Sequence, residues 1–166
     1  MKLTERLRLE EIGPQHVDDL LRVHSDPDVA KWYAGAWTRE LAEQRATQWG
    51  EAWERDGVHK WIAYERTTGE LVGRGGLSRV EVDGKLRLEL GWALLSTHRG
   101  RGYATEIGRA GLDVAFEELA ATEVVAFTEP HNTRSRAVME RLGMTYKKEF
   151  TQDGERFVLY VSTRPQ

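Results

Sequence analysis

The chain carries 166 residues with 24 Lys+Arg against 27 Asp+Glu, a formal net charge of −3 that excludes a general nucleic-acid binder, whose basic surface would show in the total. Hydrophobic residues at 40% and charged residues at 31% are globular rather than disordered chemistry. There is no cysteine, which removes disulfide frameworks, thiolate zinc sites and cysteine nucleophiles.

The opening "MKLTERLRLE" is charged throughout and lacks a signal-peptide core. No window approaches the ~18 consecutive apolar residues of a membrane span. The expectation is a soluble cytoplasmic protein, one domain over residues 1–166, with no membrane or nucleic-acid partner.

In chain order, Arg6–Glu10 alternates as a half-buried strand does. After Gly13-Pro14, the spacing of Val17, Leu20, Leu21 and Val23 predicts a helix that Asp26-Pro27 stops. Thr38 reads as the N-cap of a long amphipathic helix ending at Gly57, with Trp49 and Trp53 on one face. The period then changes to that of strands, with turns at Thr68-Gly69 and Asp83-Gly84. A helix over Tyr103–Leu119, a short apolar strand "EVVAFTEP", and a helix capped by Asn132 and closed by Gly143 follow. A last hairpin turns at Asp153-Gly154. The order predicts an α/β fold with a mixed sheet, antiparallel in front, and one strand–helix–strand crossover from about Leu86 to Thr128.

The stretch "STHRGRGYATEIGRAG", Ser96–Gly111, puts two glycines and two arginines where the strand Leu86–Leu95 hands over to a helix. A helix start leaves backbone N–H groups unpaired and adds positive potential. Gly100 and Gly102 let those amides approach an anion, and Arg99 and Arg101 add charge around the same point. A P-loop is excluded because no Gly-Lys-Ser/Thr run exists, and the dinucleotide fingerprint because its third glycine is Thr105. The residues alone point to a phosphate cradle, set against a plain tight turn with solvated arginines.

"RGRGYA", Arg99–Ala104, resembles the Arg/Gln-x-x-Gly-x-Gly/Ala signature of the GNAT N-acetyltransferase superfamily. "LELGWALLSTH" resembles that family's Glu-ϕ-Gly-aromatic strand, and "EPHNTRSRAVMERLGM" its second cofactor element. "LRLEEIGPQHVDDLLRVHSDPDVAKW", Leu7–Trp32, looks most like the ribosomal-protein N-terminal acetyltransferase (Rim-type) subgroup. The resemblance implies a sheet splayed into a V at a bulged fourth strand, with acetyl-CoA as co-substrate and no metal. It implies pantetheine pairing around Trp92, Leu94 and Leu95, and pyrophosphate on the amides of Arg99, Gly100, Arg101, Gly102, Tyr103, Ala104 and Thr105. Asn132 and Ser135 then sit near the pantetheine arm and thiol.

Acetyl transfer to an amine needs a proton acceptor, a polarised thioester and a proton for the leaving thiolate. Glu89, in the strand before the cradle, is the first candidate base, against pairing with Arg87 or a neighbouring strand; Glu149 is the second. Ser135 is the candidate acid, against a capping role in its helix, with Tyr103 and Tyr160 weaker. The five histidines show no metal-like spacing, and His98 and His131 flank the two cofactor motifs. Trp32, Tyr33 and Trp37 in the "KWYAGAW" loop are candidates to shape an acceptor pocket, against plain packing. The expected function is transfer to a primary amine, a peptide N-terminus or a small molecule. A CoA-binding module without turnover is the alternative, and a homodimer is common in such a family.

Overall fold

Alternating burial along Leu7–Glu11 makes it a strand, and a two-residue strand Lys2–Leu3 precedes it in the computed structural model, which describes Met1–Gln166. These are β1 and β2. The helices α1 (Val17–Ser25), α2 (Pro27–Ala30) and α3 (Arg39–Asp56) follow. The Asp26-Pro27 stop is also a start, because the Asp26 side chain accepts from the Asp28 amide and caps α2. Thr38 caps α3 by accepting from the Leu41 amide, and Gly57 ends it in the left-handed region, both as predicted.

The strands β3 (Lys60–Glu65), β4 (Leu71–Val82) and β5 (Lys85–Leu94) form the meander. Asp83 and Gly84 both have positive φ, 50° and 78°, which suits a tight hairpin between twisted strands. Helix α4 (Tyr103–Asp113), β6 (Glu123–Thr128), α5 (Thr133–Arg141), β7 (Thr145–Gln152) and β8 (Glu155–Thr163) complete the chain. The helix expected through Leu119 changes after Asp113: Val114–Glu118 is π-helical, with the Leu119 amide donating to the Val114 carbonyl.

All eight strands form one sheet in the order β1-β2-β3-β4-β5-β6-β8-β7. Only β5 and β6 run parallel, and they share a single bridge, Glu89 to Val125. Beyond Glu89 the two strands part, and that parting opens the expected V. The expected bulge does not interrupt the β4–β5 ladder, which runs in register from Gly73–Leu94 to Val82–Lys85. Register shifts lie instead in β3–β4 and β7–β8.

Helices cover both faces of the sheet. The larger apolar cluster packs α4 and α5 against one face through Ile107, Leu112, Val138 and Leu142. The smaller one packs α1 and α3 against the other through Leu20, Val23, Ala46 and Ile62. Strand β4 lets α4 lie close because Gly75 has no side chain; a Cβ there would stand 2.7 Å from Ile107.

Candidate active site

The parting of β5 and β6 forms a cleft of about 1830 Å³, larger than a pocket for one small ligand. Its walls come from the sheet, α2 and the turn after it, α3 and the N-termini of α4 and α5.

Helix α4 begins without a side-chain cap. The first amide with an intrahelical partner is that of Glu106, bonded to the Gly102 carbonyl, so the preceding amides are free. Gly100 and Gly102 both occupy the left-handed region, φ 75° and 83°, where other residues are strained. A Cβ on Gly102 would also stand 3.3 Å from Arg6 Nη2. Thr105 adds a buried Oγ1 with no hydrogen-bond partner. Free amides, a turn open to close approach and an orphaned hydroxyl fit a phosphate group.

Residues far away in sequence hold this turn. Arg6 donates from Nη1 to the Arg101 carbonyl at 2.7 Å, pairs with Glu106 at 2.8 Å and stacks on the Tyr103 ring. Ser96 donates from its amide to Asp26 at 2.8 Å, and Arg99 pairs with Asp28 at 3.1 Å. Burial raises the Asp26 pKa, but hydrogen bonds from Ser96 and the Asp28 amide, with the Arg99 charge, hold it below the usual value. The Arg99 side chain thus fastens the turn to α2. Sequence reading missed Arg6, Asp26 and Asp28, whose partners lie too distant for any local pattern.

Of the residues expected around the cofactor, Trp92, Leu94, Arg99, Gly100, Gly102, Tyr103, Ala104, Thr105, Asn132 and Ser135 all line the cleft. Leu95 does not; it is buried in the smaller apolar cluster. Arg101 is exposed outside the cleft lining, leaving its backbone as its link to the cradle. Asn132 caps α5 as predicted, accepting from the Ser135 amide at 3.2 Å. The Ser135 hydroxyl takes part in no hydrogen bond of the chain.

Glu89 lines the same cleft, and it is paired not with Arg87 but, as the alternative reading expected, with side chains of neighbouring strands. Glu89 Oε2 accepts from Lys60 Nζ at 2.9 Å and from Ser78 Oγ at 3.2 Å. Lys60 also donates to the Gly76 carbonyl at 2.8 Å. Burial lowers the Lys60 pKa, and Glu89 opposes that shift. Arg87 instead faces Glu123. Glu89 and Gly91 share one face of β5, and a Cβ at Gly91 would stand 2.8 Å from Glu89 Oε1 and 3.2 Å from Lys60 Nζ. The Glu-Leu-Gly spacing is therefore the room that the Glu89–Lys60 pair requires.

Other candidates are engaged elsewhere or lie at the margin. Glu149 is exposed on β7, paired with Arg156 at 2.6 Å and outside the cleft lining. Tyr103 donates its hydroxyl to Glu65 at 2.6 Å, and Tyr160 accepts from Arg136 at 3.1 Å. His98 is buried beside Glu70, at 3.4 Å, while His131 lies at the rim, 5.1 Å from the Trp32 ring.

The aromatic loop divides. Trp32 and Tyr33 line the cleft, but Trp37 stacks on His24 with ring centroids 3.5 Å apart and packs into the smaller apolar cluster. Trp49 and Trp53 also separate: Trp53 donates from Nε1 to the Lys60 carbonyl, whereas Trp49 faces the cleft beside His59. A helical face alone does not distinguish core from cleft wall.

Residues 6–145 match the family described as the Acetyltransferase (GNAT) domain. The chain is 31% identical to the protein YkkB of Bacillus subtilis (strain 168) across 95% of its own length and 92% of that protein's. It is 32% identical to the FsC-acetyl coenzyme A-N(2)-transacetylase of Aspergillus fumigatus, across 89% of this chain and 66% of that one. The fold is shared with the aminoglycoside acetyltransferase AAC(6')-Ib in complex with coenzyme A, at TM-score 0.79 and 18% identity over 95% of both chains. The left-handed glycine turn at the mouth of a cleft between parted strands is thus set in a familiar frame, and the chain belongs to the GNAT family of acetyl-CoA-dependent N-acetyltransferases.

Proposed function

We propose that the chain moves an acetyl group from acetyl-CoA to a primary amine by direct transfer in a ternary complex. The observation that carries this reading is one cleft lined both by the free amides of the Gly100–Thr105 turn and by the Glu89 carboxylate. Acetyl-CoA supplies the activated thioester. The chain supplies position and proton handling.

The uncapped start of α4, with Thr105 Oγ1, holds the pyrophosphate. The edge of β5 beyond Glu89, around Trp92 and Leu94, has no strand partner on the β6 side and offers its backbone to the pantetheine arm. Glu89 acts as the base. Lys60 and Ser78 fix one carboxylate oxygen, and the other, Oε1, sits over Gly91 without a partner. Glu89 takes the amine proton as the amide C–N bond forms and the C–S bond breaks. The free Ser135 hydroxyl gives a proton to the leaving thiolate and regains one from solvent. Backbone N–H groups of the β5 edge stabilise the oxygen of the tetrahedral species.

The test is acetyl-CoA-dependent thiol release with a panel of amines, followed by mass spectrometry of the acceptors. The expected result is stoichiometric N-acetylation of at least one primary amine. Saturable acetyl-CoA binding with no thiol release on any amine would establish a binding module instead.

A further inference from the structure

Arg74, on β4, lines the cleft on the face that also carries Lys60 and Glu89, and it is only 4% exposed. Its Nε donates to His24 Nε2 at 3.1 Å. His24 is wholly buried, and burial with the Arg74 charge pushes its pKa down to about 2, so the ring acts as a neutral acceptor. The guanidinium carbon lies 5.2 Å from the Tyr33 ring centre and 5.5 Å from that of Trp49. Two aromatic rings and a fixed histidine thus hold the head group in one orientation.

What this guanidinium lacks is a counter-ion. A buried charge is normally paired, because desolvation is expensive. Yet no carboxylate forms an ion pair with Arg74, and its terminal nitrogens enter no hydrogen bond of the chain. Acidic residues lining the cleft are engaged elsewhere: Glu89 with Lys60, Asp28 with Arg99, Glu129 with His131. Glu81 stands at the far, exposed end of β4. Besides the Tyr33 ring, the titratable groups near Arg74 are Lys60, His24 and His59, all basic, and each has its pKa lowered in part by the Arg74 charge. With His24 and His59 uncharged and Lys60 paired with Glu89, the charge left unpaired on this wall is that of Arg74.

We propose that Arg74 binds a carboxylate carried by the acceptor, so that the acceptor is a small amino acid rather than a polyamine, an aminoglycoside or a protein N-terminus. The planar fork of arginine offers two parallel N–H donors to such a group. Arg74 faces Ala93 across the ladder and Ser78 faces Glu89, so the two sites lie four rungs apart, about 13 Å along the strands at the usual rise. Both long side chains line the cleft between these rungs, where one small molecule is to place its amine at Glu89 and its carboxylate at Arg74. A protein N-terminus has no carboxylate at that distance unless its sequence supplies one. The inference rests on the acetyl-transfer reading, and its test separates the two.

The experiment uses matched pairs: α- and ω-amino acids, each beside its own carboxamide. Wild-type kcat/KM is expected to be at least about tenfold higher for the carboxylate member of the best pair. In Arg74→Met that ratio falls to near one, and Arg74→Lys keeps part of it. CoA affinity, measured on each variant, reports whether it is folded. Calorimetry of the CoA-bound protein with an N-acetylamino acid against its amide reads the same preference without turnover. Equal rates and equal affinities for the two members in wild type overturn the proposal, as does a preference that survives in Arg74→Met. A polyamine, aminoglycoside or neutral peptide outperforming every amino acid overturns it too. If no amine is acetylated, the transfer reading fails, and the calorimetric preference still decides the role of Arg74.

Discussion

The two walls of the cleft are built by different means. The wall proposed to hold the cofactor is mostly backbone: a contiguous turn, two glycines with positive φ and the uncapped start of α4. The wall proposed to face the acceptor is mostly side chains, Lys60, Arg74 and Glu89, delivered by three strands and braced by His24 and Trp49 from two helices. Backbone recognition depends on local conformation and is written in adjacent letters. Side-chain recognition depends on register between distant segments. The first should break under a change of conformation, and the second under a change of charge.

The largest effect is therefore expected at Gly102. Gly102→Val forces a β-branched residue to φ 83° and drives a Cβ toward Arg6. CoA affinity should fall by more than about 100-fold, beyond the roughly 1–3 kcal/mol of strain that the fold itself absorbs. Calorimetry with CoA and the thermal midpoint read the two separately. Unchanged CoA affinity would refute the cradle.

Glu89→Gln tests the other wall. It should lower kcat by about 10²-fold and leave CoA affinity alone. It also strips the buried Lys60 of its partner, which costs about 3–5 kcal/mol of stability. Replacing both members, Lys60→Met with Glu89→Leu, should recover most of that stability, because apolar residues substitute well for a buried pair. Activity should stay lost. Recovery of activity in the double variant would remove Glu89 from the chemistry.

A smaller effect concerns pH. In the folded protein the His24 pKa lies at about 2 and that of His59 at about 4, both lowered chiefly by burial. The unfolded chain binds those protons near pH 6.5, so it holds more protons than the fold does between 6.5 and these values. Stability is full above pH 6.5 and declines below it, by up to about 1.4 kcal/mol per pH unit for His24. Urea unfolding at pH 8, 6 and 5 measures the decline. His24→Gln should lie below wild type at pH 8 and show a flatter slope; parallel slopes would place the acid sensitivity elsewhere.

The contrast also explains what the letters disclosed. The Thr38 and Asn132 caps, the Gly57 stop, the hairpin turns and the glycine turn each depend on a few neighbouring residues, and each was readable. The Lys60 partner of Glu89 and the His24 partner of Arg74 were not, since 29 and 50 residues separate them, and strand register brings the first pair together and the packing of α1 on the sheet the second. Trp37 and Trp32 looked alike in one loop, yet one stacks on a buried histidine and the other faces the cleft. Glu149 had a plausible strand position but lies at the sheet's far edge, where β7 ends the order. The β5 opening was legible as a family feature; its origin in a single β5–β6 bridge was not.

The smallest expected effect falls where the two means of construction meet, at Ser135. Its amide belongs to the backbone scheme, since Asn132 Oδ1 caps it, and its hydroxyl belongs to the side-chain scheme, unpartnered beside the cleft. Ser135→Ala keeps the amide and removes the hydroxyl. Stability should then stay within about 0.5 kcal/mol, as at other sites that leave packing intact, while kcat falls about tenfold with CoA affinity unchanged. Asn132→Ala should do the converse for α5, costing about 1 kcal/mol through loss of the cap. Urea titration and steady-state kinetics on the two variants resolve the pair. If Ser135→Ala destabilises α5 as much as Asn132→Ala and leaves kcat intact, the serine is part of the helix start and the thiolate takes its proton from water.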